Sequence, residues 1–138
     1  MARKDKFHEI VKKALIKEGW VITDDPYLVV TEEHSLEVDL GAEKLLGAQK
    51  GSKKIAVEIK SFLGLSKLHD YYKALGQFNY YSVAIDIQEP ERTLFLAVPL
   101  KIYKTFFQES ITLKSVERFG IKILVYNIDK IEIELWKE

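Results

Sequence analysis

The stretch Lys54-Ile55-Ala56-Val57-Glu58-Ile59-Lys60-Ser61-Phe62, KIAVEIKSF, decides how the rest of the chain is read. Its apolar residues mark a strand, in which Ile55, Val57 and Ile59 share one face while Ala56, Glu58 and Lys60 share the other. A core-forming strand therefore carries a carboxylate and an ammonium together on one face. Working outward, the acid-bearing stretch just upstream is Leu36-Glu37-Val38-Asp39-Leu40. Alternation there puts Asp39 on the polar face, away from Leu36, Val38 and Leu40. The connection between the two strands is short, so they are expected to be sheet neighbours.

If paired, Asp39 and Glu58 converge on one face with Lys60 beside them. Two carboxylates a few ångströms apart repel and need something positive between them. Magnesium, or manganese in its place, is the natural candidate: a hard cation held by one or two carboxylates, water and phosphate oxygens. A neighbouring ammonium can then orient an attacking water and stabilise charge developing on phosphate. The pattern Asp39–(18 residues)–Glu58–X–Lys60 is thus the working part of a metal-dependent phosphodiesterase. By spacing alone it fits a solvated cross-strand ion pair equally well.

Composition bounds the alternatives. The 138 residues, 47% hydrophobic and 30% charged, describe a soluble globular chain of one domain, 1–138. No apolar run reaches the roughly 20 residues that cross a bilayer, and the start MARKDKFHEI lacks a signal-peptide apolar stretch. Cysteine is absent, which excludes disulfides, a thiol nucleophile and thiolate zinc, and fits a cytoplasmic location. Twenty-one basic residues balance 21 acidic ones, with only three arginines, Arg3, Arg92 and Arg118. A chain that bound nucleic acid mainly by charge neutralisation would be basic, so any DNA contact must come from a local patch, a cation or a partner.

The periodicity predicts a helix over 4–18, from Phe7, Ile10, Val11, Ala14 and Leu15, stopped by Gly19. Strands follow at Trp20–Ile22, 27–31, Leu36–Leu40 and about 53–60, with a short helical piece and a turn at Gly51-Ser52 within 41–52. A helix is predicted over 67–82, a doubly covered strand at Thr93–Val98, helices through Tyr103–Phe107 and 112–118, and strands at Ile121–Tyr126 and 131–135. Helices between strands give an α/β fold: a central mixed β-sheet flanked by helices.

With these residues in place, the chain resembles the PD-(D/E)XK nuclease superfamily, with Asp39, Glu58 and Lys60 at the three motif positions and Val38 where proline often stands. Gln77 and Tyr81, at i and i+4 on one helix face, are similar to the Q-x-x-x-Y helix motif of its RecB-like branch. Five blocks in order, KDKFHEIVKKALIKEGWVITDDP, VDLGAEKLLGAQK, KIAVEIKSF, ALGQF and LAVPLKIYKTFF, resemble the XisH family, excision controlling factors of the fdxN element in cyanobacteria. The resemblance implies a restriction-endonuclease-like core and a role in DNA rearrangement alongside a site-specific recombinase and an XisI companion. It implies DNA as partner and a metal held by Asp39 and Glu58, with Gln77 supporting. It leaves open whether the chain cuts DNA or serves as a binding subunit.

Four residues rank as supporting. Related nucleases carry an acidic residue on the first helix near the metal; here Glu9 lies nearly opposite the apolar stripe, and His8, a poor magnesium ligand, sits on its flank. Glu43 reaches the site only if the chain turns helical after Asp39. Tyr81 belongs to an aromatic cluster with Tyr71, Tyr72, Phe78 and Tyr80, which fits core packing or a homodimer contact better than base stacking. HEIVK is not H-E-x-x-H, which excludes a zinc protease of that type.

Overall fold

Residues 5–47 and 51–138 are described by the computed structural model. Among them run α1 (His8–Lys17), β1 (Val21–Asp24), β2 (Tyr27–Val30), β3 (Ser35–Val38), β4 (Leu40–Gly47), β5 (Gly51–Ile59), α2 (Lys67–Gln88), β6 (Arg92–Pro99), α3 (Leu100–Lys104), α4 (Ser110–Arg118), β7 (Ile123–Asn127) and β8 (Glu132–Lys137). A 3-10 turn, Phe106–Gln108, joins α3 to α4. Six strands form one mixed sheet in the order β1-β4-β5-β6-β7-β8, and β2 and β3 form a separate two-stranded sheet. Strands β5, β6 and β7 are parallel; the other neighbours in the large sheet are antiparallel. No helix among the described residues is long and apolar enough to cross a membrane.

The period-two alternation of the central strands separates two cores. Ile55, Val57 and Ile59 of β5 pack with Phe95 and Ala97 of β6 and Leu124 and Tyr126 of β7 against Val11 and Leu15 of α1. Ala56, Leu94, Leu96 and Val98 face the other way, with Ile123 and Val125, toward Ala74, Phe78 and Ile85 of α2 and Phe106, Phe107 and Val116 beyond it. Both faces of the middle strands are therefore dry, which is why TLFLAV reads as an unbroken apolar run.

Helix α2 begins where Ser66 Oγ accepts the His69 N–H at 3.2 Å. It runs to Gln88, past the expected end at 82. Two other expectations fail. Leu36–Leu40 is not one strand, because β3 ends at Val38 and β4 starts at Leu40. Val38 lies in the α2-side core and Leu40 in the α1-side core, so the chain crosses between sheets at Asp39. Residues 41–47 are not helical; they continue β4 and pair with β5 through Leu40↔Val57, Ala42↔Ile55 and Glu43↔Lys54. Cross-strand pairing overrides a local sequence with good helix formers. The remaining part of that expected helix, 48–50, and the first residue of α1's expected range lie outside the described residues. Gly51, placed in a turn with Ser52, opens β5 with φ 69°.

A polar network ties the small sheet to the large one. Arg92, buried at the start of β6, donates from Nε to Glu89 Oε1 at 2.7 Å and from a guanidinium NH to the Ile55 carbonyl at 2.8 Å. Its guanidinium lies 4.4 Å from the Tyr27 ring centroid, and Tyr27 donates its hydroxyl to Glu89 at 2.7 Å. The Arg92 hydrogen bond holds the Glu89 carboxyl down to about 2, with help from Tyr27 and Lys54 against burial. Removing one partner of a buried pair strands the other charge. Glu89→Ala is therefore expected to cost about 2–4 kcal/mol in urea unfolding, discounted for the partly exposed carboxylate. Lys54→Ala, at the more exposed end of the network, is expected to cost no more than about 1 kcal/mol.

Candidate functional site

The crossing at Asp39 builds the site. Extending the β4–β5 register one step beyond Leu40↔Val57 sets Asp39 opposite Glu58. The backbone then locks the two acids together reciprocally. Asp39 Oδ2 accepts the Ile59 N–H at 2.7 Å, and Glu58 Oε1 accepts the Asp39 N–H at 3.4 Å. Lys60 Nζ lies 3.4 Å from Glu58 Oε2. Asp39, Glu58 and Lys60 are thus brought together at the end of β5, as the alternation of KIAVEIKSF predicts for the last two.

Burial dominates the electrostatics. Glu58 is 6% exposed. Burial, and then the charge of Asp39, push its carboxyl up to about 8, with Lys60 opposing. The Asp39 carboxyl is also raised, by burial first, while the Ile59 N–H, His8 and Lys60 favour its ionised form. Both carboxyls are thus biased toward the protonated form relative to free acids, against the pull of Lys60. Tyr81, on α2, has its hydroxyl raised by burial and then by the charges of Glu58 and Asp39. Gln77, one turn earlier on that helix, has a buried Oε1 with no hydrogen-bond partner among the described residues.

An acid that the sequence reading passed over completes the rim. Asp5, just ahead of α1, accepts the Ser61 N–H at 3.0 Å through Oδ2 and the Phe7 N–H at 2.9 Å through Oδ1. Its charge also raises the Asp39 carboxyl. A cavity of about 150 Å³ is lined by Asp5, Lys60, Ser61, Asp70 and Lys73. The signal was an acidic residue just ahead of the first helix rather than one on its exposed face. Beyond Ser61, Phe62 takes the left-handed conformation, φ 54°, at a cost of about 1–2 kcal/mol that its burial against Phe107 offsets. That bend turns the chain away from the sheet and leaves Lys60 at the rim.

The other supporting residues are placed elsewhere. Glu43 sits on β4 opposite Lys54, with Nζ 3.9 Å from its carboxylate. Four residues of strand separate it from Asp39, about 13 Å. Glu9 is exposed. His8 is buried and acts on Asp39 only through its charge; its Nε2 is bonded to Asp25 Oδ1 at 2.7 Å. The ligand atoms of His8, Glu9 and Asp25 lie within 4.8 Å of one another. That cluster is an ion-pair network rather than a metal cage: 2.7 Å is hydrogen-bond distance, and Lys12 holds the second Asp25 oxygen at 2.9 Å. Two ligands of one tetrahedral zinc ion would stand about 3.3 Å apart. Of the aromatic cluster, Tyr71 and Phe78 are core while Tyr72 and Tyr80 are exposed.

The fold and the site define an α/β protein that sets a buried glutamate, a half-buried aspartate and an adjacent lysine together at the end of a central strand. Comparison with known proteins gives the family. The XisH protein family matches residues 1–134, and the chain belongs to it. The crystal structure of an XisH family protein from Nostoc punctiforme is 41% identical, with a TM-score of 0.89 over 97% of this chain and 100% of that one. The fdxN element excision controlling factor protein from Anabaena variabilis is 43% identical, with a TM-score of 0.88 over 98% and 100%. No curated protein matches the chain.

The raised carboxyl of Glu58 has a thermodynamic consequence. A group whose pKa is higher folded than unfolded stabilises the fold below its unfolded value, and the contribution is lost as pH rises through the folded one. In EDTA, stability is therefore expected to fall between about pH 4.5 and 8, the unfolded and folded positions of Glu58. Glu58→Gln should flatten that slope in thermal melts; an unchanged slope would refute the assignment.

Proposed function

We propose that the chain is a factor with a PD-(D/E)XK nuclease core that acts on DNA in the controlled excision of a DNA element. Asp39 and Glu58 are the ligands for Mg2+, or Mn2+ in its place. The observation that carries this reading is buried Glu58 beside half-buried Asp39, with Lys60 on the outer oxygen of Glu58. The donor set is all oxygen, suited to a hard cation, and a divalent charge would offset the burial that raises both carboxyls and the Asp39 charge that adds to it at Glu58. Membership in the XisH family, and the name of the Anabaena relative, support excision control as the biological setting.

When bound, the ion would polarise a phosphate oxygen and acidify a water. Asp39, oriented by the Ile59 N–H, and Glu58, oriented by the Asp39 N–H, present their remaining oxygens to it. Lys60 exchanges Glu58 for the attacking water or a non-bridging phosphate oxygen and stabilises the charge that develops there. The buried Oε1 of Gln77 offers an acceptor to a water, and the Tyr81 hydroxyl a donor to phosphate. Asp5 holds the Ser61 amide and so fixes the backbone that carries Lys60.

One observation favours a second reading. Lys60 already neutralises Glu58, and the chain has no net charge to draw in DNA. On that reading the fold is a non-catalytic scaffold that works through an XisI-like companion or the recombinase.

Magnesium or manganese titration is expected to raise the melting temperature of the wild type, since a ligand of the folded state alone stabilises it. Asp39→Asn with Glu58→Gln should abolish the response. Lys60→Ala should keep the metal response and lose about 10²–10³ in nicking of supercoiled or branched DNA. Metal binding without nicking on any DNA form, even with the companion present, would select the scaffold.

A further inference from the structure

Just past Lys60 the chain holds two leucines out in water, and it holds them firmly. Phe62, buried with φ 54°, anchors the near side of the loop. Lys67 Nζ donates to the Phe62 carbonyl at 2.8 Å and to the Gly64 carbonyl at 3.2 Å. Asp70 Oδ2 accepts the Gly64 N–H at 3.0 Å. A Cβ at Gly64 would stand 2.6 Å from the other Asp70 oxygen, so any side chain there would push the carboxylate off the turn. Between these clamps Leu63 is 56% exposed, and Leu65 is wholly exposed, more so than any other large apolar residue described. Neither belongs to either core.

The place of the loop says what meets it. Leu63 lines the same cavity of about 150 Å³ as Lys60 and Lys73. Three residues of chain span at most about 11 Å, which bounds the distance from Lys60 to Leu63. The grooves of B-DNA are only about 8 Å deep, so a duplex with a phosphate on Lys60 brings its bases within reach of the loop. Leucine has no donor or acceptor, so it neither reads the polar edge of a base nor holds a phosphate. Its largest apolar partner in DNA is the face of a base, which is open only where the stack is broken. Net charge points the same way. With 21 basic against 21 acidic residues, the chain draws little affinity from the phosphates of an intact duplex.

We propose that Leu63 and Leu65 are a wedge that enters the base stack beside the phosphate held at Asp39, Glu58 and Lys60. This rests on the reading of those three residues as a DNA site, and it names the substrate class. The substrate is DNA with a weakened step, such as a bulge, a mismatch or a branch, where opening the stack costs least. The Lys67 and Asp70 clamps pre-organise the loop, so little conformational freedom is lost on insertion.

The test uses the full chain, calcium as the bound cation, and a duplex with a fluorescent base analogue, which brightens when unstacked, beside a single-nucleotide bulge. The same duplex fully paired is the control. Wild-type protein is expected to brighten the analogue and to bind the bulged duplex at least about tenfold more tightly than the paired one. Leu63→Ala with Leu65→Ala, both at exposed positions, should lose the brightening and the preference while keeping the rise in melting temperature with magnesium. Equal binding of both duplexes by the wild type, with its magnesium response intact, would overturn the wedge and leave the metal site standing. A wild type with neither a magnesium response nor binding to either duplex would overturn the site itself, and the wedge with it. A double variant that binds both duplexes as the wild type does, but no longer binds the companion protein, would overturn the wedge in favour of a protein contact.

Discussion

The hydrogen bond from the Ile59 amide to the Asp39 carboxylate, 2.7 Å long, is the constraint on which the architecture turns. Asp39 stands where the chain leaves the two-stranded sheet and enters the six-stranded one. Its neighbours Val38 and Leu40 serve opposite cores, so ordinary alternation is suspended for one residue. A side chain at such a crossing faces the end of the neighbouring strand rather than either core. The β5 amide captures it there, and the return bond from the Asp39 amide to Glu58 closes the arrangement. Strand pairing, sheet switch and acid placement are therefore one event.

Burying two carboxylates side by side is costly, and the chain bears that cost at the end of its best-packed strand. Glu58 sits among residues that are almost wholly inaccessible, from Ile55 to Ile59. Lys60, one period further along, is the nearest compensation, and two backbone amides supply the rest. Elsewhere the fold handles charge differently. Arg92 and Glu89 are buried with their partners in place, and the Glu89 carboxyl is held low rather than high. One polar cluster is satisfied within the protein and serves stability. The other is under electrostatic strain, with both carboxyls raised.

Helix α2 links these regions. Its C-terminal end reaches the small sheet through Gln88, which donates to the Leu28 carbonyl at 3.1 Å and accepts the Val30 N–H at 3.0 Å. Its inner face closes the core, with Tyr81 packed half-buried against it. Exposed Leu68, Tyr72, Val83 and Ile87 explain why its overall amphipathicity is weak although its inner face is well buried: apolar residues are not confined to one side of the cylinder.

Much of this was legible in order along the chain. The alternation in KIAVEIKSF gave both faces of β5, the doubly apolar run TLFLAV gave a central strand, and the 3.6-residue period gave α1 and α2. Each depends on burial of neighbouring residues, a property local sequence records. The break at Asp39, the strand in place of a helix over 41–47 and the distance of Glu43 from the acids were not legible, because each follows from cross-strand pairing. Asp5 escaped for the same reason: its place beside Ser61 joins residues 56 apart in sequence. Sequence by itself determined which residues are apolar, which are charged and with what period they recur. Tertiary structure decided which carboxylates meet in a dry place, because desolvation and mutual repulsion exist only once distant strands have been brought together.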